Sequence, residues 1–373
     1  MDDVQYDYLI VGAGLYGCVF AHQMKKNNKK CLIIEKRSHI GGNIYCSEEK
    51  EICVHRYGAH IFHTNSDFIW EYVNQLTTFQ PFINTPVAKY KNELYNLPFN
   101  MNTFYQMWKV LDPKSAIQKL EEQKRPYLDI QPSNLEEQAL QLIGPDIYYK
   151  LIKGYTEKQW GRDAKELPAF IIKRLPVRLT FDNNYFNAKY QGIPTQGYNA
   201  LINKLVENIP IITEVDFLQQ KNVWIDKAKK IVFTGRIDSW FNECFGQLDY
   251  RSLRFEDEVL DMENFQGNAV VNYTERDVPY TRIIEHKHFL KRENIPYTII
   301  SREYPQDWNG SNEPFYPIND TKNNDLYIKY SNEAKKYSDV VFGGRLGEYK
   351  YYDMDKIIES ALEAADKELK MSY

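Results

Sequence analysis

Four apolar residues, Tyr8-Leu-Ile-Val11, run straight into Gly12-Ala-Gly-Leu-Tyr-Gly17. A short apolar run ending in glycine predicts a buried strand. Leu15 to about Lys26 then carries Val19, Phe20 and Met24 on one helical face. Asn27 and Asn28 stop that helix, and Cys31-Leu-Ile-Ile34 predicts a second buried strand. Strand, tight turn, helix and strand within about 30 residues make a βαβ unit. Such a unit calls for a parallel sheet covered by helices, so the expected fold class is α/β.

Gly12, Gly14 and Gly17 fit the pattern G-x-G-x-x-G. The first glycine permits the turn, the second lets backbone approach a pyrophosphate, and the third lets helix pack on strand. The helix N-terminus offers the phosphates free N–H groups and the positive end of its dipole. Glu35 closes the second strand near the position of a ribose-binding acid, about 20 residues on. Alone, three glycines signal no more than a turn. Here strand, helix, second strand and acid all point to a dinucleotide.

The 373 residues predict two to three domains. A net charge of −4 excludes a global basic field for nucleic acid. Aromatic residues make up 14%, and Tyr outnumbers Phe 29 to 19. Those rings suit amphipathic packing at domain seams, or a polar cleft lined with hydroxyls. No apolar run approaches the 18 or so residues of a membrane helix. The acidic start, Met1-Asp-Asp-Val4, is unlike a signal peptide. Five cysteines without a C-x-x-C pair suggest neither a disulfide framework nor zinc, so a reduced cytoplasm is expected. His60 and His63 have H-x-x-H spacing without an evident third ligand, and no metal is expected.

Helical patterns dominate from about 99 to 180: Thr103–Val110, Pro113–Gln123, Leu135–Ile143 and Asp146–Lys153. Ser133-Asn-Leu-Glu136 resembles a capping box. Alternation from about 258 to 304, as in Ala269–Tyr273 and Tyr297–Ile300, predicts an antiparallel sheet, with His286 and His288 on one of its strands. Asn309 through Asn324 reads as a surface loop. Val340–Gly344 predicts another strand, and Met354 to Leu369 an amphipathic helix with Asp353 at its N-cap.

Further motifs carry a family resemblance. Glu35-Lys-Arg-Ser-His-Ile-Gly-Gly-Asn43 and Gly343-Gly-Arg345 resemble the FAD-containing reductases and amine oxidases. His60-Ile-Phe-His-Thr64, Lys153-Gly-Tyr-Thr-Glu-Lys-Gln-Trp-Gly161, Lys173-Arg-Leu-Pro-Val-Arg178 and Asp182-Asn-Asn-Tyr-Phe186 follow in order. Val278-Pro-Tyr-Thr-Arg282, Phe315-Tyr-Pro317 and the segment from Arg345 to Asp353 complete the set. Together they resemble the bacterial UDP-galactopyranose mutases along nearly the whole chain.

That resemblance implies a Rossmann-like FAD domain from residues 1–82, 193–245 and 338–373. It implies an inserted helical domain, 99–180, with a mobile substrate loop, and an antiparallel sheet domain from 83–98, 181–192 and 246–337. It implies interconversion of UDP-galactopyranose and UDP-galactofuranose through a covalent adduct of reduced FAD with the anomeric carbon. The N-acetylated sugar is a further candidate substrate, and a homodimer is expected. Arg174 and Arg282 match the family's substrate arginines. Asn84, Tyr155, Thr156, Trp160, Tyr185, Asn272, Tyr316 and Tyr351 match its other substrate contacts, with Gly154 and Gly161 as hinges of the loop. Gly12, Gly14, Gly17, Glu35, Lys36, Gly42, Asn43, His60, Ile61, His63, Arg345, Asp353 and Met354 match the FAD site. Leu151 and Ile152 depart from the pattern, standing where several members carry phenylalanines near the base.

Ring contraction of a nucleotide sugar is redox-neutral, so a nucleophile that holds the anomeric carbon splits one hard step into easier ones. The leaving diphosphate needs fixed positive charge, and the arginine fork suits it. On the residues alone, a solvated helix face is the better reading of Arg174, and core packing the commoner role for Trp160. An FAD-dependent oxidoreductase of the amine-oxidase type is the competing function, and a flavin or nucleotide-sugar sensor without turnover is a third.

Overall fold

A computed structural model describes residues 5–172, 177–290 and 294–371. A five-stranded sheet runs in the order Ile211–Ile212, Cys31–Ile34, Tyr6–Val11, Ala228–Phe233, Val340–Phe342, every pair parallel. Alternate strand residues face opposite sides. Tyr8, Ile10 and Ile33 join a core with the helices Leu15–Lys26 and Met354–Met371. Leu9, Leu32 and Ile34 join a second core with Phe217 and Trp240. Both faces are covered, which is why these strands read as unbroken apolar runs. The first and last helices pack on one another, Val19, Phe20 and Met24 sharing a core with Ile358, Ala361 and Ala365.

A seven-stranded sheet has the order Tyr316–Pro317, Tyr250–Leu260, Thr298–Asp307, Arg282–Glu285, Val270–Tyr273, Val87–Tyr90, Glu93–Asn96. It is antiparallel except where Val270–Tyr273 runs parallel to Val87–Tyr90. Tyr190–Pro194 does not join it. That strand pairs with Phe62–Thr64 and Phe79–Pro81, and so crosses the boundary expected at 192/193.

The helical region holds Met101–Trp108, Pro113–Lys124 and Leu135–Ile147 around Phe104, Leu120, Leu140 and Ile143. Asn100 makes a reciprocal capping box with Thr103. The expected box at Ser133 is displaced by one residue: Asn134 caps Glu137 N, and the Glu137 carboxylate accepts from Ser133 N and Oγ. Asp146–Lys153 is no separate helix. Leu135–Ile147 kinks at Gly144 and Pro145, continues as a π-helical turn over Tyr148–Lys153, and then as Gly154–Trp160.

Other expectations need correction. The loop expected through Asn324 ends earlier, because Asp320 caps a helix over Thr321–Ala334. His286 and His288 lie in a 3₁₀ turn just past the Arg282–Glu285 strand. The strand expected to end at Ile300 continues to Asp307.

Candidate active site

A cavity of about 390 Å³ opens at the C-terminal ends of the parallel strands, over the glycine turn. Gly12, Gly14, Gly17, Glu35, Lys36, Gly42 and Asn43 line it. Its floor is bare backbone. Gly12 has φ +106°, and a Cβ there would stand 2.1 Å from Thr234 Oγ1. A Cβ on Gly42, at φ +53°, would stand 2.9 Å from the Gly14 Cα. Two turns thus approach with no room for a side chain between them, leaving a cradle of N–H groups. Glu35 is 8% exposed, and its carboxylate accepts from Ala13 N at 2.7 Å and Arg37 N at 2.9 Å. Arg37 also lines the cavity. Its Nη2 donates to Asn43, while its buried Nη1 has no hydrogen-bond partner among the described residues.

Asn43, His60, Arg345 and Met354 line this cavity and also a second one of about 1000 Å³. Ile61, His63 and Asp353 line only the second, as do Asn84, Tyr155, Trp160, Tyr185, Asn272, Arg282, Tyr316 and Tyr351. Two expected residues stand apart. Thr156 is buried on its helix and does not line the cavity, because a helix turns successive residues by about 100°. Arg174 lies outside the described residues.

Strand register builds the second cavity's polar wall. Asn272 faces Arg282, and Arg282 faces Glu303, so the three form a cross-strand row on one face. Arg282 Nε lies 2.9 Å from the Glu303 carboxylate, and its Nη2 donates to Tyr155 Oη at 3.2 Å. Burial works to lower the Arg282 pKa, but Glu303 and the surrounding tyrosines outweigh it, so the guanidinium is held firmly charged. Asn272 Oδ1 is buried with no partner among the described residues, an acceptor left for a ligand. Sequence reasoning missed Glu303. Its signal was the alternation Ser301-Arg-Glu-Tyr304, which extends the strand.

The segment Tyr155–Trp160, expected as a loop, is helical. Gly154, expected as a hinge, opens that helix. It has helical φ −64°, and a Cβ would stand 2.4 Å from Thr274 O, so glycine serves a close approach of helix to sheet. Gly161, at φ +67°, is the helix C-cap. Lys158 Nζ donates to Tyr273 O and Tyr280 O, and Arg251 Nε donates to Gln159 O. These bonds hold the helix so that Tyr155 and Trp160 wall the cavity.

His60 Nδ1 is 2.7 Å from Gly58 O and must donate to it, leaving Nε2 as an acceptor. Burial, then Arg345, pushes the His60 pKa down to about 4, so the ring is neutral. His63 stacks on Phe186 with centroids 3.8 Å apart. Asp353 precedes the last helix, its carbonyl accepting from Ile357 N.

A dinucleotide-binding parallel sheet, with its glycine-floored cavity opening into one walled by arginine and tyrosines, defines a Rossmann-like protein with room for a second polar ligand beside its cofactor. The family profile described as UDP-galactopyranose mutase matches residues 150–351, and one described as an NAD(P)-binding Rossmann-like domain matches 10–76. A probable UDP-galactopyranose mutase of Klebsiella pneumoniae is 39% identical over 364 residues, 96% of this chain and 94% of that one. A dTDP-fucopyranose mutase of Escherichia coli is 37% identical over 369 residues, 97% and 98% of the two chains. The chain belongs to the UDP-galactopyranose mutase family. A crystal structure of reduced UDP-galactopyranose mutase shares the fold, with TM-score 0.75 at 12% identity over 98% of this chain and 96% of that one. A putrescine oxidase also shares it, with TM-score 0.60 at 10% identity over 99% of each chain.

Proposed function

We propose that the protein is a flavin-dependent isomerase that interconverts the pyranose and furanose forms of a nucleotide sugar, with UDP-galactose as the substrate and FAD as the cofactor. The observation that carries this is the meeting of the two cavities at Asn43, His60, Arg345 and Met354, the larger cavity being walled by the row Asn272, Arg282, Glu303. The glycine cradle, the Glu35 carboxylate and the unpartnered Arg37 Nη1 fit a dinucleotide. Reduced flavin, when bound, supplies the nucleophile that an isomerisation without net redox change needs. Arg282, fixed by Glu303 and Tyr155, presents charge to the leaving diphosphate. Negative charge grows there as the bond to the anomeric carbon breaks, so the cation favours the transition state over the ground state. Tyr185, Tyr316 and Tyr351 supply hydroxyls to the phosphates, and Trp160 covers the base. Arg174 is assigned to the diphosphate beside Arg282 on the family motif alone.

The same reading carries the three-part domain division, a cytoplasmic enzyme and a homodimer. A dTDP-linked 6-deoxy sugar is the second candidate substrate, favoured by the full-length similarity to the dTDP-fucopyranose mutase. The test is to incubate the protein anaerobically with UDP-galactofuranose or dTDP-fucopyranose, with and without dithionite, and to resolve the products. Isomerisation of one of them, only with reductant, is expected. Equal rates with oxidised and reduced flavin would remove the flavin nucleophile. Peroxide released from an amine substrate without isomerisation would favour the oxidase.

A further inference from the structure

The hairpin of Cys46–Glu49 and Ile52–His55 takes no part in the chemistry above. Its register sets Cys46 opposite His55 and Glu48 opposite Cys53, which puts Cys46, Cys53 and His55 on one face. The two sulfurs and a His55 ring nitrogen lie within 4.8 Å of one another. Cys46 is 3% exposed and His55 1%, while Cys53 is half-buried. Gly197 stands over Cys53 Sγ, where even a Cβ would come within 3.1 Å.

The protons decide what this cluster can do. His55 Nδ1 accepts from His60 N at 3.3 Å, and burial pushes the His55 pKa down to about 4. The ring is therefore neutral with its proton on Nε2. Nε2 has no hydrogen-bond partner among the described residues, and a ring nitrogen of His55 lies within 4.8 Å of both sulfurs. The Cys46 thiol donates to Ile44 O at 3.6 Å. Cys53 is half-buried where Cys46 is enclosed, so peroxide reaches Cys53 first, while neighbouring Cys53 and burial hold the Cys46 thiol protonated. A metal ion on Nε2 would require the proton to move to Nδ1, against the His60 N–H.

We propose that Cys53 and Cys46 are a peroxide-oxidised thiol pair, with Cys53 the attacking sulfur and Cys46 the resolving one. The Cys53 thiolate attacks one oxygen of hydrogen peroxide, the O–O bond breaks, and hydroxide leaves with Cys53 as the sulfenic acid. Cys46 sulfur then attacks Cys53 sulfur, the S–O bond breaks, and water leaves as the disulfide forms. Two thiols lose two electrons in all, and peroxide is reduced to two waters. The disulfide closes against the His55 ring, which lies within 4.8 Å of both sulfurs, and His55 holds the backbone of His60, which lines both cavities. Oxidation therefore reaches the cofactor site; this last link alone rests on the flavin reading.

The test treats the anaerobically purified full chain with hydrogen peroxide, alkylates it and maps every cysteine by mass spectrometry. Exposed Cys244 serves as the internal reference. The expected result is loss of two alkylatable thiols to a Cys46–Cys53 disulfide that dithiothreitol reverses. Cys46→Ser should accumulate a dimedone-reactive sulfenic acid on Cys53, and Cys53→Ser should leave Cys46 reduced. The proposal is overturned if both thiols still alkylate at a dose that has oxidised Cys244. It is also overturned if Cys46 oxidises equally in Cys53→Ser, or if the purified chain carries a stoichiometric metal released by alkylation. Added peroxide tests the pair whether or not the flavin reading holds.

Discussion

A methyl group on Gly42 would stand 2.9 Å from the Gly14 Cα, on a backbone with φ +53°. Gly42→Ala should therefore destabilise the chain by about 1–3 kcal/mol and lower flavin retention, because a strained residue now pushes on the phosphate cradle. Melting temperature and bound flavin absorbance check both effects. Arg282→Lys should keep the fold and lose about 10²–10³ in turnover, since one ammonium cannot satisfy Glu303, Tyr155 and a diphosphate together. Anaerobic kinetics on the reduced enzyme decide this, and turnover within tenfold of the wild type removes Arg282 from its role. Most cavity residues were legible singly, because the motifs that carry them stand intact in the sequence. Glu303 was not, because Ser301-Arg-Glu looks polar enough to leave a strand. Only the facing register, invisible in one segment, shows that its acid meets Arg282. Thr156 was misplaced for the opposite reason: the motif gives order along the chain, and the helix decides which side faces the ligand.

Element by element, the sequence was clearest where one period or cap dominates. The first βαβ unit and the last helix stand close to where their spacing puts them. Gly154 shows the limit: glycine serves conformational freedom and close approach alike, and sequence does not separate them. Its helical φ and the nearby Thr274 O decide for close approach. Gly154→Ala should push the Gly154–Trp160 helix off the sheet and raise KM more than it lowers kcat. Lys158 makes the same docking sensitive to pH. Burial pulls its pKa from 10.5 down to about 8, so the unfolded chain binds the extra proton between those values. Stability from this group therefore rises as pH climbs from about 8 to 10.5, and the cost of the buried charge is complete below pH 8. Wild type should gain thermal stability over Lys158→Met across that window, read by paired melts. A gap that stays flat would show Lys158 to be solvated.

Across the whole molecule, His55, His60 and His286 are packed neutral, with pKa values pushed down by burial to about 4, 4 and 3. Unfolding returns each to about 6.5, so the unfolded chain takes up protons first as pH falls. Stability should drop from about pH 6.5 towards pH 4, each histidine contributing up to about 1.4 kcal/mol per pH unit. Melting temperatures through that range measure it, and His286→Gln should flatten the slope. The sequence showed these histidines only as scattered pairs, since what makes them acid-labile is shared burial between the hairpin and the large sheet. One consequence of the chain's path remains. Val19, Phe20 and Met24 are synthesised long before Ile358, Ala361 and Ala365, the partners that cover them. A ribosome thus delivers an apolar helix face that must wait for the segment carrying Ile358, Ala361 and Ala365 to emerge. Met354 and Ile357, which wall the cofactor cavity, arrive with that same last helix. Closure of that core and completion of the cavity wall therefore both wait for the segment that carries Met354 and Ile357.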